Sequence, residues 1–376
     1  MPPISVCMIA KNEEKNIARC LKSLAPYGFE IIVVDTGSTD KTKEIAVEYG
    51  AKVFDFAWVN DFSAARNFAA SKAENNWIFV IDCDEYITSM KLPELLTLIR
   101  QYPRYIGVLE IENEMLGDSV SSDGATKRTY TTSLVRFYSR KYNHFVGEIH
   151  EQVVPFGFKE GKDVFSFNVP VKLYHTGYVG TPEQIAAKNK RNIDLLMAAL
   201  EKDPNDAYNY FQLGQSYVLG DDYKTACEWF GKGLTFDLDP SLEYVQTMVV
   251  AYGQALLKSG RNDEALNFTG IYNEFSQLAD FVYLMGRIYM ANNQPIKALG
   301  EFLKVITMPP GKQQGITTFL PCYQIAVIYD NMSLSASGEG DMNNQEIALM
   351  YYRKCGDFAP ARRRLAELGE KNEEML

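Results

Sequence analysis

Short, unbroken apolar runs separated by helix-length amphipathic stretches organise the first third of the chain. The runs "ISVCMIA", "FEIIVVD", "KVFDF" and "WIFVID" are continuous rather than alternating, with "KNIARCLKSL", "KTKEIAVEYG" and "FSAARNFAASKA" between them. Strands that are apolar on both faces and spaced by helices predict an α/β domain built on a parallel sheet covered on both sides. In such sheets ligands gather beyond the carboxyl ends of the strands. Those ends read "KNEE", "DTGSTDKT" and "DCDE", so three polar tips are expected to converge on one edge.

From residue 111 to about 180 the chain turns to β-structure rich in Gly, Ser, Thr and aromatic residues, expected to close the sheet domain. Residues 116–127 read as a mobile serine- and glycine-rich loop, either folding over a ligand or forming a plain surface hairpin. After residue 182 the pattern is helical and recurrent. "YFQLGQSY", "MVVAYGQAL", "VYLMGRIY" and "CYQIAVIY" align on Gly214, Gly253, Gly286 and Ala326, and Ala226, Ala265 and Ala298 follow the first three at the same offset.

This spacing resembles the tetratricopeptide repeat, whose small residues let two antiparallel helices approach. Phe230, Phe302, Pro310 and Pro360 echo its later positions. The expected division is 1–181 for the sheet domain and 182–376 for the helical repeats, which either dock a partner or only brace the first domain.

The totals narrow the class. At 376 residues the chain is long enough for about two or three domains. A net charge of −10 with no arginine-rich stripe argues against a general nucleic-acid binder, so an anionic ligand needs a local positive site or a metal. Six cysteines without a CxxC pair read as reduced core residues, which suits the cytoplasm. "MPPISVCMIAKNEE" lacks the pattern of a signal peptide, and no apolar run reaches about 18 residues. Peripheral membrane contact and self-association stay open.

The acids of "FVIDCDEYI" pose a physical question. Asp82, Asp84 and Glu85 crowd the end of an apolar strand, and burying uncompensated carboxylates costs on the order of several kcal/mol. A cation or a set of donors should answer them, unless they are solvated or cap a helix.

Four ordered stretches, "CMIAKNEEKNIARCLKSL", "EIIVVDTGSTDKTKEIAVEYGAKV", "NDFSAARNFAASKA" and "WIFVIDCDEYI", resemble the family 2 inverting glycosyltransferases of the A-type fold. The resemblance implies a nucleotide-diphospho-sugar transferase domain, followed here by an all-α tetratricopeptide-like domain. It also implies that Asp82 and Asp84 are the DxD carboxylates for the donor's ribose and a divalent cation, with Asp84 the direct ligand. Asp35 is implied to read the nucleobase, with Asn12 and Glu13 lining the base and ribose pocket and Arg66 steadying phosphates or the acids. His175 corresponds to the late histidine that completes metal coordination, which favours Mn²⁺ over Mg²⁺ because an imidazole suits manganese better. In "VGEIHEQV", Glu151 is the first choice for the catalytic base and His150 the second, with Glu148 nearby.

The donor implied is a nucleotide-sugar, expected to be a UDP-sugar. The layout is similar to bacterial transferases that glycosylate peptides, so a peptide or protein acceptor docked by the repeats is expected, with an envelope glycan or lipid-linked acceptor as the alternative. A scaffold with a degenerate transferase domain is a second class of function. A dinucleotide-binding dehydrogenase lacks its GxGxxG turn after the first strand.

Overall fold

The computed structural model describes residues 2–115, 128–158, 164–176, 182–335 and 342–369, and the chain forms two compact units, Met1–Leu195 and Leu196–Leu376. The serine- and glycine-rich stretch at 116–127 lies outside the described residues. No helix among the described residues is long and apolar enough to cross a membrane.

The first unit begins β1 (Ile4–Ala10), α1 (Ile17–Leu24), β2 (Glu30–Asp35), α2 (Thr42–Glu48), β3 (Lys52–Asp55), α3 (Phe62–Lys72) and β4 (Trp77–Val80). It continues through β5 (Glu85–Met90), α4 (Leu92–Gln101), β6 (Ile106–Met115), β7 (Arg128–Ser139), β8 (Asn143–Val146), β9 (Gln152–Pro155) and β10 (Ser166–His175). The helix α5 (Pro182–Lys202) follows and carries the chain past the border of the unit at Leu195.

Eight strands form one sheet in the order β3-β2-β1-β4-β7-β6-β10-β5, with β8 and β9 paired apart from it. The four apolar strands β3, β2, β1 and β4 are parallel, as their continuous hydrophobicity requires. Ile4, Val6 and Met8 bury on one face with Leu21 and Leu24 of α1, while Cys7, Ile32 and Val34 bury on the other with Ala69 and Ala70 of α3. Beyond β4 the sheet is mixed. There β7 runs antiparallel to both β4 and β6, and its threonine-rich first half lacks the apolar run of a parallel interior strand. The expected parallel sheet is therefore correct for four strands and too simple for the rest.

The second unit is helical: α6 (Ala207–Leu219), α7 (Tyr223–Gly233), α8 (Glu243–Lys258), α9 (Asn262–Ala265), α10 (Tyr272–Phe275), α11 (Ala279–Ala291), α12 (Pro295–Ile306), α13 (Phe319–Ser335), α14 (Met342–Arg353) and α15 (Ala359–Glu367). The recurring small residues sit where helices meet. A methyl on Gly214 would overlap the Phe230 ring, and one on Gly286 would overlap Phe302 in the same way. One departure from the repeat pattern is the helix expected around Ala265, which is broken into α9, a 3₁₀ turn at Leu266–Ile271 and α10.

Candidate functional site

The first two polar tips are tied together by hydrogen bonds between their loops. Asn12, in a left-handed conformation with φ 58°, accepts from the Thr39 amide at 2.8 Å through its side chain, and its own amide donates to Ser38 Oγ at 2.9 Å. Glu13 N donates to Thr42 Oγ1 at 2.7 Å, and Glu14 N donates to Asp40 Oδ2 at 3.1 Å. Asp35 is buried at the end of β2 and accepts the amides of Gly37 at 3.0 Å and Ser38 at 2.9 Å on Oδ1. Its other oxygen, Oδ2, is buried with no hydrogen-bond partner among the described residues, an acceptor whose desolvation none of them offsets.

The start of α3 shows what the "NDFSAARN" stretch does. Asp61 caps the helix by accepting from Ala64 N at 2.8 Å. Ser63 donates to the Gly147 carbonyl at 2.6 Å, and Asn67 exchanges two hydrogen bonds with the Phe145 backbone at 2.9 and 3.0 Å. These bonds fix the segment leading to His150 and Glu151. The alanines of α3 bury against β1 and β2, so the helix lies close enough for Arg66 to reach beneath the sheet edge.

Arg66 is 7% exposed; its Nε donates to Glu151 and its Nη2 to Asp82 Oδ1 at 3.1 Å. From β7, Arg136 Nη2 donates to Asp82 Oδ2 at 2.7 Å and to Glu85 Oε1 at 3.1 Å. Two guanidinium groups thus hold both oxygens of Asp82, and this clasp is the main answer to the acidic cluster. Burial opposes ionisation of Asp82, but Arg136 and then Arg66 outweigh it and keep the carboxyl well below its usual range. Glu85 is 2% exposed, and burial pushes its carboxyl up to about 7 despite Arg136, with Asp82 adding to the rise.

Asp84 differs from its neighbours. Its Oδ2 lies 3.3 Å from His175 Nε2, and the other ring nitrogen of His175 contacts Asn113 Oδ1 at 2.9 Å. Burial works against charging the His175 ring, yet the bond to Asp84 and the nearby charges of Asp84, Glu85 and Asp82 raise its pKa above the ordinary value. Among the described residues no group of three or more His, Cys, Asp or Glu side chains is placed to hold a metal ion. Asp84 and His175 offer one oxygen and one nitrogen close enough to share one cation, with the second ring nitrogen anchored as ligating histidines require. The pair fits a divalent ion that would draw its other ligands from elsewhere. Asp82, held by two arginines, does not extend that pair.

His150 has φ 53°, an uncommon conformation for a non-glycine residue, and its Nε2 is buried without a partner. Burial lowers its pKa, partly offset by Glu151, which favours the neutral ring.

A cavity of about 540 Å³ brings together Glu13, Arg66, Asp82, Asp84, His150, Glu151 and His175. Asn12 and Asp35 do not line it; Thr36 does, and Glu148 lies outside it. Sequence reasoning missed Arg136, Lys188, Arg191 and Asn192, all of which line the same cavity. For Arg136 a signal existed: a cation in "SLVRFYS" is followed by the buried pair Phe137 and Tyr138, so it needs an acidic partner.

A second cavity, of about 640 Å³, lies within the helical unit on α6, α8 and the start of α11. Gln215, Gln246, Gln254 and Gln277 line it, and the segment from Pro309 to Gln313 closes one side. That segment is held by Asp280, which accepts the amides of Lys312 and Gln313 at 2.8 and 3.0 Å, and by Lys312 Nζ, which donates to Thr247 at 2.9 Å.

Residues 5–156 match the family described as Glycosyl transferase family 2, and residues 195–228 match the Tetratricopeptide repeat. A TPR repeat-containing protein of Synechococcus elongatus is 31% identical over 268 residues, 70% of this chain and 63% of that protein. The SPbeta prophage-derived glycosyltransferase SunS of Bacillus subtilis is 26% identical over 303 residues, 78% of this chain and 68% of that protein. The chain thus spans about two thirds of the length of these curated relatives. Among solved structures, TarS of S. aureus superposes with a TM-score of 0.33 at 17% identity, over 80% of this chain and 90% of that one.

Proposed function

From the premise that the chain carries a family 2 glycosyltransferase domain followed by tetratricopeptide repeats, we propose that it transfers a sugar from a UDP-sugar to a peptide or protein acceptor, with inversion and with a divalent cation. The sheet domain and the start of α5 supply the chemistry and the helical repeats that follow dock the acceptor, in the cytoplasm, where six buried free cysteines stay reduced. One observation carries the reading. A clasped acid, Asp82, stands beside an acid–histidine pair, Asp84 and His175, in one cavity with a second carboxylate–histidine pair, Glu151 and His150.

Each residue has a part in the mechanism. The unsatisfied Asp35 Oδ2 is an acceptor for an N–H of the nucleobase, and Asn12 holds the loop around it by its bonds to residues 38 and 39. Glu13 and Asp82 border the ribose, with Asp82 held in place by Arg66 and Arg136. Asp84 and His175 would hold Mn²⁺ or Mg²⁺, which when bound stabilises the charge that grows on the departing diphosphate. Glu151 takes the acceptor's proton as the acceptor attacks the anomeric carbon, and His150 is the alternative base.

The test is nucleotide release from UDP-, GDP- and nucleoside-monophosphate sugars, in Mn²⁺, Mg²⁺ or EDTA. Wild-type protein is expected to release UDP from one sugar donor in a metal-dependent way, and Asp84→Ala to lose that release. No turnover and no donor binding by calorimetry would instead favour a scaffold built on the repeats.

A further inference from the structure

The cavity presents a charge imbalance that the clasp around Asp82 leaves unresolved. Glu13, Asp82, Asp84, Glu85 and Glu151 face Lys11, Arg66 and Arg136, and the two arginines are already engaged with Asp82, Glu85 and Glu151. A nucleotide-sugar adds two more negative charges in its diphosphate. A cation held by Asp84 and His175 would meet part of that charge, and further positive groups must come from elsewhere in the wall.

Among the described residues the further arginine of the lining comes from α5, beside the lysines Lys11 and Lys188. Arg191 extends into the cavity from α5, and its guanidinium lies 5.9 Å above the Phe62 ring. Phe62 is itself packed edge-on against Trp58, with ring centroids 4.8 Å apart. No carboxylate among the described residues pairs with Arg191, which is exposed and lines the cavity with its guanidinium beside the Phe62 ring. Lys188 stands one turn earlier on the same helix and lines the same cavity; burial raises the pKa of Glu13 there, and the charge of Lys188 is near enough to oppose that rise in part. Positions 188 and 191, three apart, share one helical face.

We propose that Arg191, assisted by Lys188, is the protein's own clamp for the donor diphosphate, in the same cavity as the Asp84–His175 pair. The inference rests on the nucleotide-sugar reading above and adds a residue role to it. A planar guanidinium suits two phosphate oxygens at once, and a diphosphate held between Arg191 and the Asp84–His175 corner has cations on both sides. The clamp binds substrate and leaving diphosphate alike, so it shows in affinity for any ligand with that group and not in affinity for the nucleoside.

The full-length chain is titrated by calorimetry with uridine, UDP, GDP, ADP and inorganic pyrophosphate, with Mn²⁺ and with EDTA. Arg191→Gln, Arg191→Lys and Lys188→Gln are compared with wild type, and circular dichroism checks that each is folded. Arg191→Gln is expected to weaken UDP and pyrophosphate by roughly 10- to 100-fold, as loss of a charged hydrogen bond does, with uridine unchanged within about twofold. Arg191→Lys should recover part of the loss, since charge returns without the fork. The Arg191 effect should persist in EDTA, because it does not pass through the metal.

Equal loss of uridine and UDP, or diphosphate affinity unchanged in Arg191→Gln, overturns the clamp while leaving the donor reading intact. If GDP or ADP binds instead of UDP with the same dependence on Arg191, the clamp stands and the uridine part of the donor reading falls. If neither pyrophosphate nor any nucleoside diphosphate binds the wild-type chain at millimolar concentration, both fall.

Discussion

Arg66 and Glu151 show how much a single residue in this site does. Arg66 is buried between two carboxylates on different segments, and removing it would leave Glu151 without its cation and Asp82 with Arg136 alone, the kind of loss that costs about 3–5 kcal/mol in a buried pair. Glu151 is better suited to a functional test, because a glutamine in its place keeps an oxygen for Arg66 Nε. Glu151→Gln is therefore expected to stay folded, to bind UDP within about threefold of wild type, and to lose transfer by a factor on the order of 10² to 10⁴, the usual worth of a general base. Steady-state transfer beside UDP titration checks this, and unchanged turnover would pass the role to His150. Asp82, Asp84 and Arg66 stood out as candidates because they fall in recognisable words of the sequence. Arg136 was not, since it meets Asp82 only because β7 pairs with β4, and a sheet order of that kind is set by tertiary packing. Which of the two acids the arginines reach was equally hidden, because the contacts of Asp82 with Arg66 and Arg136 depend on how α3 and β7 pack beside β4.

At the scale of elements, the parallel half of the sheet is tied at its amino-terminal edge by Glu30. The carboxylate at the start of β2 accepts from Lys52 at 2.8 Å, from Ser5 of β1 and from the Glu74 amide at 2.8 Å in the turn before β4. Burial opposes its ionisation, but the bonds from Lys52, Ser5 and the Glu74 amide lower its pKa from the ordinary 4.5. A carboxyl whose folded pKa is lowered contributes its stabilisation fully above 4.5 and loses it as pH falls through the lower, folded value. Acid unfolding followed by urea midpoints should therefore show wild type losing stability below about pH 4.5. Glu30→Gln should flatten part of that fall, by no more than about 1 kcal/mol once solvent screening is allowed for. Strands and helices of this unit were legible from their periodicity, as were the paired repeat helices from Gly214 and Gly286. The break between α9 and α10 was not, because Ala265 keeps the repeat spacing while the turn at Leu266–Ile271 follows local packing around the buried Phe268.

For the whole molecule, the charge of −10 means that an anionic donor gains nothing from the overall field and depends on cations concentrated in one cavity. The acceptor reading makes a different demand, because a peptide needs an extended surface with groups that bond its backbone. The groove of α6, α8 and α11 offers uncharged amides for that purpose. Gln246 and Gln277 already donate to backbone carbonyls of their own chain, at Pro240 and Glu274, whereas Gln215 and Gln254 have no such bond among the described residues. An amide side chain both donates and accepts, so it matches a peptide unit regardless of the residue it carries. Exchanging it for a carboxylate removes the donor and sets a charge against peptide carbonyls. The double variant Gln215→Glu, Gln254→Glu is expected to raise the acceptor KM by about 10-fold or more, as loss of two hydrogen bonds would, while leaving UDP affinity and the donor KM unchanged. Transfer to a peptide acceptor, measured over a range of acceptor and donor concentrations, separates the two constants. A change in kcat with both KM values intact would mean that the groove does not dock the acceptor, and an envelope glycan bound at the catalytic cavity alone would then be the better reading.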